Sequence, residues 1–198
     1  MAYEHAVILT GGIATGKSTA TALLQLYGFR VIDADAIAHE MLDRHADEVV
    51  KRFGAEFLTE GGKIDRKALG AHIFAHPEER KALEAILHPP IREEILRRSE
   101  EQERLGKPYL IDIPLFFESG EYPIEKSVVV YTPKEIQLRR LMERDGFSEE
   151  EAKRRIDAQL DIEEKRKRAT WVIDNSGDLK QLSRECERVK EGILKTFE

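Results

Sequence analysis

Residues 11 to 18 read Gly11-Gly12-Ile13-Ala14-Thr15-Gly16-Lys17-Ser18, a match to G-x-x-x-x-G-K-[ST], and they constrain the fold more than any other stretch of the chain. The apolar run Ala6 to Thr10 before them suits a buried strand, and Ser18 to Tyr27 after them suits a helix. Glycine at 11, 12 and 16 lets the backbone curl until its N–H groups point inward, where the start of the helix adds positive potential. A loop of this kind cradles phosphate oxygens. Gly12, Ile13, Ala14, Thr15, Gly16, Lys17, Ser18 and Thr19 are therefore the candidate nucleotide-binding residues, with Lys17 reaching the β and γ phosphates and the Ser18 hydroxyl ligating Mg2+.

Four more short, β-branched-rich runs read as strands: Arg30 to Asp33, Tyr109 to Ile113, Ser127 to Thr132 and Thr170 to Asp174. Helix-length segments separate them, and their almost continuous apolar character fits strands covered on both faces. The expected fold is thus α/β, a parallel five-stranded sheet flanked by helices. About 75 residues lie between the second and third strand runs, far more than a crossover needs, which predicts a helical insertion over residues 37–106. Residues 1–36, 107–138 and 169–198 then make the core. Within the insertion, Asp65 opens an amphipathic run from Arg66 to Ala75, and Pro77 opens a second ending near Leu87. His88-Pro89-Pro90 predicts a boundary, because a proline such as Pro90 breaks a helix interior, and a further charged helix then runs to about Gly106.

A second irregular region follows Thr132. Pro133 suits the start of a helix ending near Asp145, and Ser148 with Glu149, Glu150 and Glu151 behind it has the form of an N-cap. Residues 139–168 carry ten basic and nine acidic side chains, so they form a solvated helical segment and not a polycation, Lys165-Arg166-Lys167-Arg168 included. Leu179, Leu182, Cys186, Val189 and Ile193 fall at alternating spacings of three and four, a core stripe on a final helix.

Composition narrows the function classes. With 41% hydrophobic and 35% charged residues the 198-residue chain is globular, and its net charge of −6 opposes generic binding to nucleic acid or to anionic membranes. Its apolar runs are far too short to span a bilayer, and Met1 to His5 lacks the basic start of a secretory leader. Cys186 is the single cysteine, which leaves no internal disulfide and no multi-cysteine metal site, so a cytoplasmic chain is expected. A monomer or weak homo-oligomer is the expected state.

The nucleotide's use is narrowed next. Reading guanine would take Asn-Lys-x-Asp, yet the one asparagine, Asn175, precedes Ser176 and Gly177. A compact chain with an arginine-rich segment suits a small-molecule kinase, in which catalysis is mostly positioning and charge stabilisation. Asp33 and Asp35 end the second strand run, on the side of a parallel sheet where ligands bind, and Asp33 is the candidate acceptor-side carboxylate. Asp35 suits a helix cap or a substrate contact equally. Asp112, closing another strand run, resembles the acid that assists Mg2+ in such enzymes. His39 to Asp43 lacks the second histidine of a zinc motif. A kinase for another small metabolite, or a nucleotide-dependent module without catalysis, would share the same loop.

In sum of its motifs the chain resembles the dephospho-CoA kinase family. The resemblance is carried by Leu9-Thr10-Gly11-Gly12-Ile13-x-x-Gly16-Lys17-Ser18, Val31-Ile32-Asp33-Ala34-Asp35, Ile64-Asp65-Arg66-Lys67-x-Leu69 and Leu87-His88-Pro89-x-Ile91. It continues through Pro114-Leu115-x-Phe117-Glu118, Gln137-Leu138-x-Arg140-x-x-x-Arg144-Asp145, Arg155-Ile156-x-x-Gln159 and Ile173-Asp174-Asn175-x-Gly177. It implies a P-loop kinase core, a CoA-binding helical subdomain at 37–106, a lid at 139–168, and transfer of the ATP γ-phosphoryl group to the ribose 3′-hydroxyl of dephospho-CoA. By matched position Asp33 would be the base, Lys17 and Arg140 would stabilise the transferring group, Thr10 and His88 would face the acceptor, and Asn175 to Gly177 would wrap the adenine. Arg139 stands beside Arg140 as an alternative, and His88 equally suits a helix end. Ala14-Thr15 replaces the usual Gly-Ser of the loop, and Phe116 stands where leucine is common.

Overall fold

The computed structural model describes residues 2–198. Five strands, β1 (Ala6–Gly11), β2 (Val31–Asp33), β3 (Tyr109–Asp112), β4 (Ser127–Tyr131) and β5 (Trp171–Asp174), form one parallel sheet in the order β2-β3-β1-β4-β5. Val7 pairs with Leu110, Leu9 with Val128 and Val130 with Ile173. Parallel neighbours cannot be joined by tight turns, so helices carry the chain back over both faces, and the strands read as continuous apolar runs for that reason.

The chain divides into two compact units, one made by the stretch up to Ile32 with Ser99–Glu198, the other by Asp33–Arg98. In the first, Val7, Leu9, Leu110, Val128, Val130 and Ile173 pack with Ala20 and Leu24 of α1 (Lys17–Leu26) and with a C-terminal helix, α10 (Leu179–Thr196). Each such side chain taken fully out of water contributes roughly 1.5–3 kcal/mol. Leu182, Cys186, Val189 and Ile193 form the buried stripe of α10, but Leu179, expected in it, opens the helix and is 63% exposed. Burial pushes the Cys186 thiol up to about 11, which makes it an inert core group. On the opposite face Val129 and Tyr131 pack with Ile162.

The second unit is helical: α2 (Ala34–Arg44), α3 (Ala46–Phe53), a 3-10 turn at Ala55–Phe57, α4 (Arg66–Ala75) and most of α5 (Pro77–Glu103). Asp65 caps α4 by accepting from the N–H groups of Lys67 and Ala68. The expected break at His88-Pro89-Pro90 is absent: α5 runs unbroken through both prolines. Proline's fixed φ is itself helical, so what Pro89 and Pro90 remove is two N–H donors, a loss offset by buried anchors on either side, Leu83 and Leu87 before them and Ile95 after.

In the first unit α6 (Phe116–Ser119) follows β3, and α7 (Lys134–Asp145), α8 (Glu149–Asp157) and α9 (Ile162–Arg168) lie between β4 and β5. Ser148 caps α8 as expected, its hydroxyl accepting from the Glu151 N–H.

Candidate active site

The loop from Gly11 to Lys17 leaves the middle strand of the sheet and runs into α1. Its carbonyls are tied down one after another. Lys165 Nζ donates to the Gly11 carbonyl at 2.9 Å, the Thr15 hydroxyl to that of Gly12 at 2.9 Å, Gln137 Nε2 to that of Ile13 at 2.8 Å, and Asn175 Nδ2 to that of Thr15 at 2.8 Å. A trans peptide is planar, with C=O and the following N–H pointing opposite ways. Holding the carbonyls of Gly11, Ile13 and Thr15 therefore turns the N–H groups of Gly12, Ala14 and Gly16 away from their holders, while the Gly12 carbonyl is held within the loop by Thr15. The Ile13 N–H meets Gln159 Oε1 at 2.8 Å.

The backbone geometry explains two glycines. A Cβ on Gly12 would stand 2.6 Å from Gln137 Nε2, and one on Gly16, at φ +81°, would stand 2.2 Å from Asn175 Nδ2. Ala14 also takes a left-handed conformation, at φ +58°, so the alanine that replaces the usual glycine carries local strain.

Lys17 Nζ lies 2.5 and 2.6 Å from the two carboxylate oxygens of Asp112, at the end of β3. Beside the loop a cleft of about 390 Å3 is lined by Ala14, Gly16, Ser18, Thr19, Arg140, Arg144 and Asn175. Arg140 donates to the Asn175 carbonyl at 2.9 Å and to the Thr132 hydroxyl at 3.2 Å, which aims its guanidinium along the cleft. Arg139 instead sits in an acidic hollow with Glu135, Glu143 and Glu149. Of the two arginines the sequence left open, Arg140 lines the cleft beside the loop and Arg139 does not.

Thr10 is fully buried, its hydroxyl donating to the Pro114 carbonyl at 3.0 Å. Asn175 is buried and grips the loop, while Gly177 is exposed two residues on. In the helical unit Asp33, and not Asp35, is the N-cap of α2, with Oδ1 accepting from the Ala36 N–H at 3.0 Å. Asp33 and Asp35 are both exposed, and His88 lies half-buried within α5. The roles of Gln137, Gln159, Glu118 and Lys165 as supports of the loop had no sequence argument beyond the family pattern, and Lys165 had none at all.

A nucleoside triphosphate with Mg2+ fits these residues. The two tight glycines let Gln137 and Asn175 close on the loop and hold its shape, and Lys17, Arg140 and Arg144 supply positive charge. The Ser18 hydroxyl and the Asp112 carboxylate are hard oxygen donors of the type Mg2+ takes.

A parallel sheet, a glycine-rich loop entering a helix, and cationic side chains along the adjoining cleft define a P-loop kinase fold. A family model described as dephospho-CoA kinase matches residues 5–181. A dephospho-CoA kinase of Sulfurimonas denitrificans is 59% identical over 98% of this chain and 96% of its own, and one of Wolinella succinogenes is 50% identical over 98% and 97%. The solved structure of a dephospho-CoA kinase from Campylobacter jejuni superposes with a TM-score of 0.73 at 41% identity, covering 96% of this chain and 98% of that one. The chain belongs to the dephospho-CoA kinase family.

Proposed function

We propose that this enzyme transfers the γ-phosphoryl group of ATP to the ribose 3′-hydroxyl of dephospho-CoA, giving coenzyme A and ADP, the last step of CoA biosynthesis. The observation that carries this reading is the cradle itself, its carbonyls held by side chains and Lys17 and Arg140 at its mouth, in a chain of this family.

In this reading the loop from Gly12 to Ser18 takes the β and γ phosphates on its N–H groups, apart from those of Ile13 and Thr15, which bond Gln159 and the Gly12 carbonyl. Lys17, whose ammonium pairs with Asp112, would supply positive charge to them, and Arg140 would neutralise charge on the transferring group. Asp33 ends β2 as Gly11 ends β1, and ligands of parallel sheets bind outside the carboxyl ends of strands. One Asp33 oxygen caps α2, which leaves the other to accept the proton of the 3′-hydroxyl as the new O–P bond forms. Ser18, with Asp112, would hold Mg2+, whose chemistry is to neutralise charge on the β and γ oxygens. Asn175 to Gly177 would flank the adenine, and Thr10, Asp35 and His88 would belong to the acceptor side. Residues 37–106 would bind the acceptor, and within 139–168 the stretch before α9 would close as a lid, since Ile162 and Lys165 hold α9 on the sheet unit. No helix among the described residues is long and apolar enough to cross a membrane. We place the enzyme in the cytoplasm as a monomer or weak homo-oligomer, with a small-molecule acceptor and no nucleic-acid partner.

An ATP-consumption assay with dephospho-CoA, adenosine and AMP as alternative acceptors tests the reading. Turnover with dephospho-CoA far above the other two is expected. Turnover only with AMP would reassign the chain to another small-molecule kinase.

A further inference from the structure

In the basic run Lys165-Arg166-Lys167-Arg168, three side chains are exposed and one is not: Lys165 has no exposed surface. A fully buried lysine is rare, because taking an ammonium out of water is costly unless its charge is paired. Lys165 Nζ has two partners, the Glu118 carboxylate at 2.7 Å and the Gly11 carbonyl at 2.9 Å. Glu118 also accepts from the Leu160 N–H at 3.0 Å, just before α9. That helix is fixed by the Asp161 cap on Glu163 and by Ile162 against Val129 and Tyr131.

A well-packed apolar side chain would serve stability at least as well as such a pair. What an apolar side chain cannot do is donate to Gly11. We propose that Lys165 is a positioning residue for phosphoryl transfer. By holding the Gly11 carbonyl it fixes the peptide at which strand becomes loop, and through Glu118 it links that peptide to the segment entering α9. Gly11 is where the strand ends and the loop begins, so this first peptide sets the direction of those that follow. The inference rests on the loop binding nucleotide phosphates, and it concerns the nucleotide and not the acceptor.

The test uses the full chain with Lys165→Met, Glu118→Gln and both together, titrated with MgADP and separately with dephospho-CoA, alongside thermal melting. Hydrogen bonds from charged donors set the scale: Lys165→Met should weaken MgADP at least about tenfold and leave dephospho-CoA within about twofold. Glu118→Gln keeps the donor to Gly11 but leaves its charge unpaired, so it should lower the melting temperature more than the MgADP affinity. The double variant, which removes the pair together, should recover the melting temperature without recovering MgADP. A double variant with full MgADP affinity would show that Lys165 only neutralises Glu118, and equal weakening of both ligands, or failure of both Lys165 variants to fold, would make it a purely structural residue. If the unaltered chain fails to bind MgADP, the nucleotide reading itself falls, an outcome distinct from all of these.

Discussion

The two units are stabilised by different means. In the sheet unit, the central residues Val7, Ile8, Leu9, Val128, Val129 and Val130 have no exposed surface, and the loop that follows is held at four carbonyls by named side chains. In the helical unit, fully buried side chains such as Ile37, Val49 and Ile95 are more scattered, and many of the links are ion pairs with a partly exposed member: Arg98 to Glu40, Arg66 to Asp43, Arg52 to Glu79. Phe74, on α4, is 91% exposed. Dense apolar burial gives a framework that keeps its geometry, whereas charged links between helices can be re-formed at small cost. The cradle needs the first kind of construction, and a unit proposed to receive a large flexible acceptor can use the second.

The largest expected effect tests whether the rigid unit supplies chemistry as well as shape. Lys17 opens α1 with its side chain on Asp112 and packs on no core face, so Lys17→Met should still fold, with some stability lost at the Asp112 carboxylate, and lower kcat by roughly 10³. Unchanged kcat would overturn the loop's assignment. Next comes Asp33, the first residue of the helical unit. Asparagine caps a helix as well as aspartate, so Asp33→Asn preserves the bond to Ala36 and removes only the charge. A fall in single-turnover rate on the order of 10² with ATP affinity little changed is expected for a lost general base. Near-normal transfer would reduce Asp33 to its cap, and the helical unit would then contribute no catalytic group from this position.

The same contrast decided what the sequence disclosed. Strands buried on both faces leave unbroken apolar runs, and all five were legible to within a residue or two at their ends, as was the loop with its flanking strand and helix. Local chemistry was legible too, in the Asp65 and Ser148 caps. The double proline misled because the interactions that carry α5 past Pro89 and Pro90 are tertiary, set by Leu83, Leu87 and Ile95. For α2 the sequence offered Asp35 as a cap and Asp33 as the acceptor-side carboxylate; the strand ends at Asp33 as read, but the helix starts at the very next residue, so the cap falls on Asp33. Lys165 was hidden among like charges, since periodicity over a short helix does not show which of four basic residues turns inward.

The helical unit's reliance on charge should appear as acid sensitivity. Hydrogen bonds from Arg97, aided by those from Arg98 and opposed by burial, hold the Glu94 carboxyl down at about 2, against an ordinary value of 4.5. A carboxyl depressed on folding stabilises fully above its unfolded value and loses that contribution as pH falls through the window from about 4.5 to about 2. Glu94→Gln should flatten the stability curve across that window. At neutral pH it should cost about 1–2 kcal/mol, a figure kept low because solvent screens Arg97. Urea denaturation of the two proteins at pH 7 and pH 3 measures both effects. An undiminished acid slope in the variant would mean that other carboxylates dominate, and that the ion pairs around Glu94 are incidental to this unit.

The smallest effect probes the strained residue of the loop. Ala14 sits at φ +58°, a conformation that costs an L-residue roughly 1–2 kcal/mol and glycine almost nothing. Ala14→Gly relieves that strain, but glycine also gains freedom in the unfolded chain, which takes back about 0.4–1 kcal/mol. The methyl group further contributes to a small cluster around Leu141, Ala152 and Ile156, and that contact is lost. The three terms leave a net gain of no more than about 1 kcal/mol, read as a slightly higher urea midpoint with an unchanged slope. MgADP affinity should stay close to that of the unaltered chain, because the carbonyls on either side remain tied to Gln137 and Asn175. If the variant gains stability and loses nucleotide affinity, the strained alanine is part of the cradle's preorganisation, and the four carbonyl ties are not enough on their own to hold the loop in its binding shape.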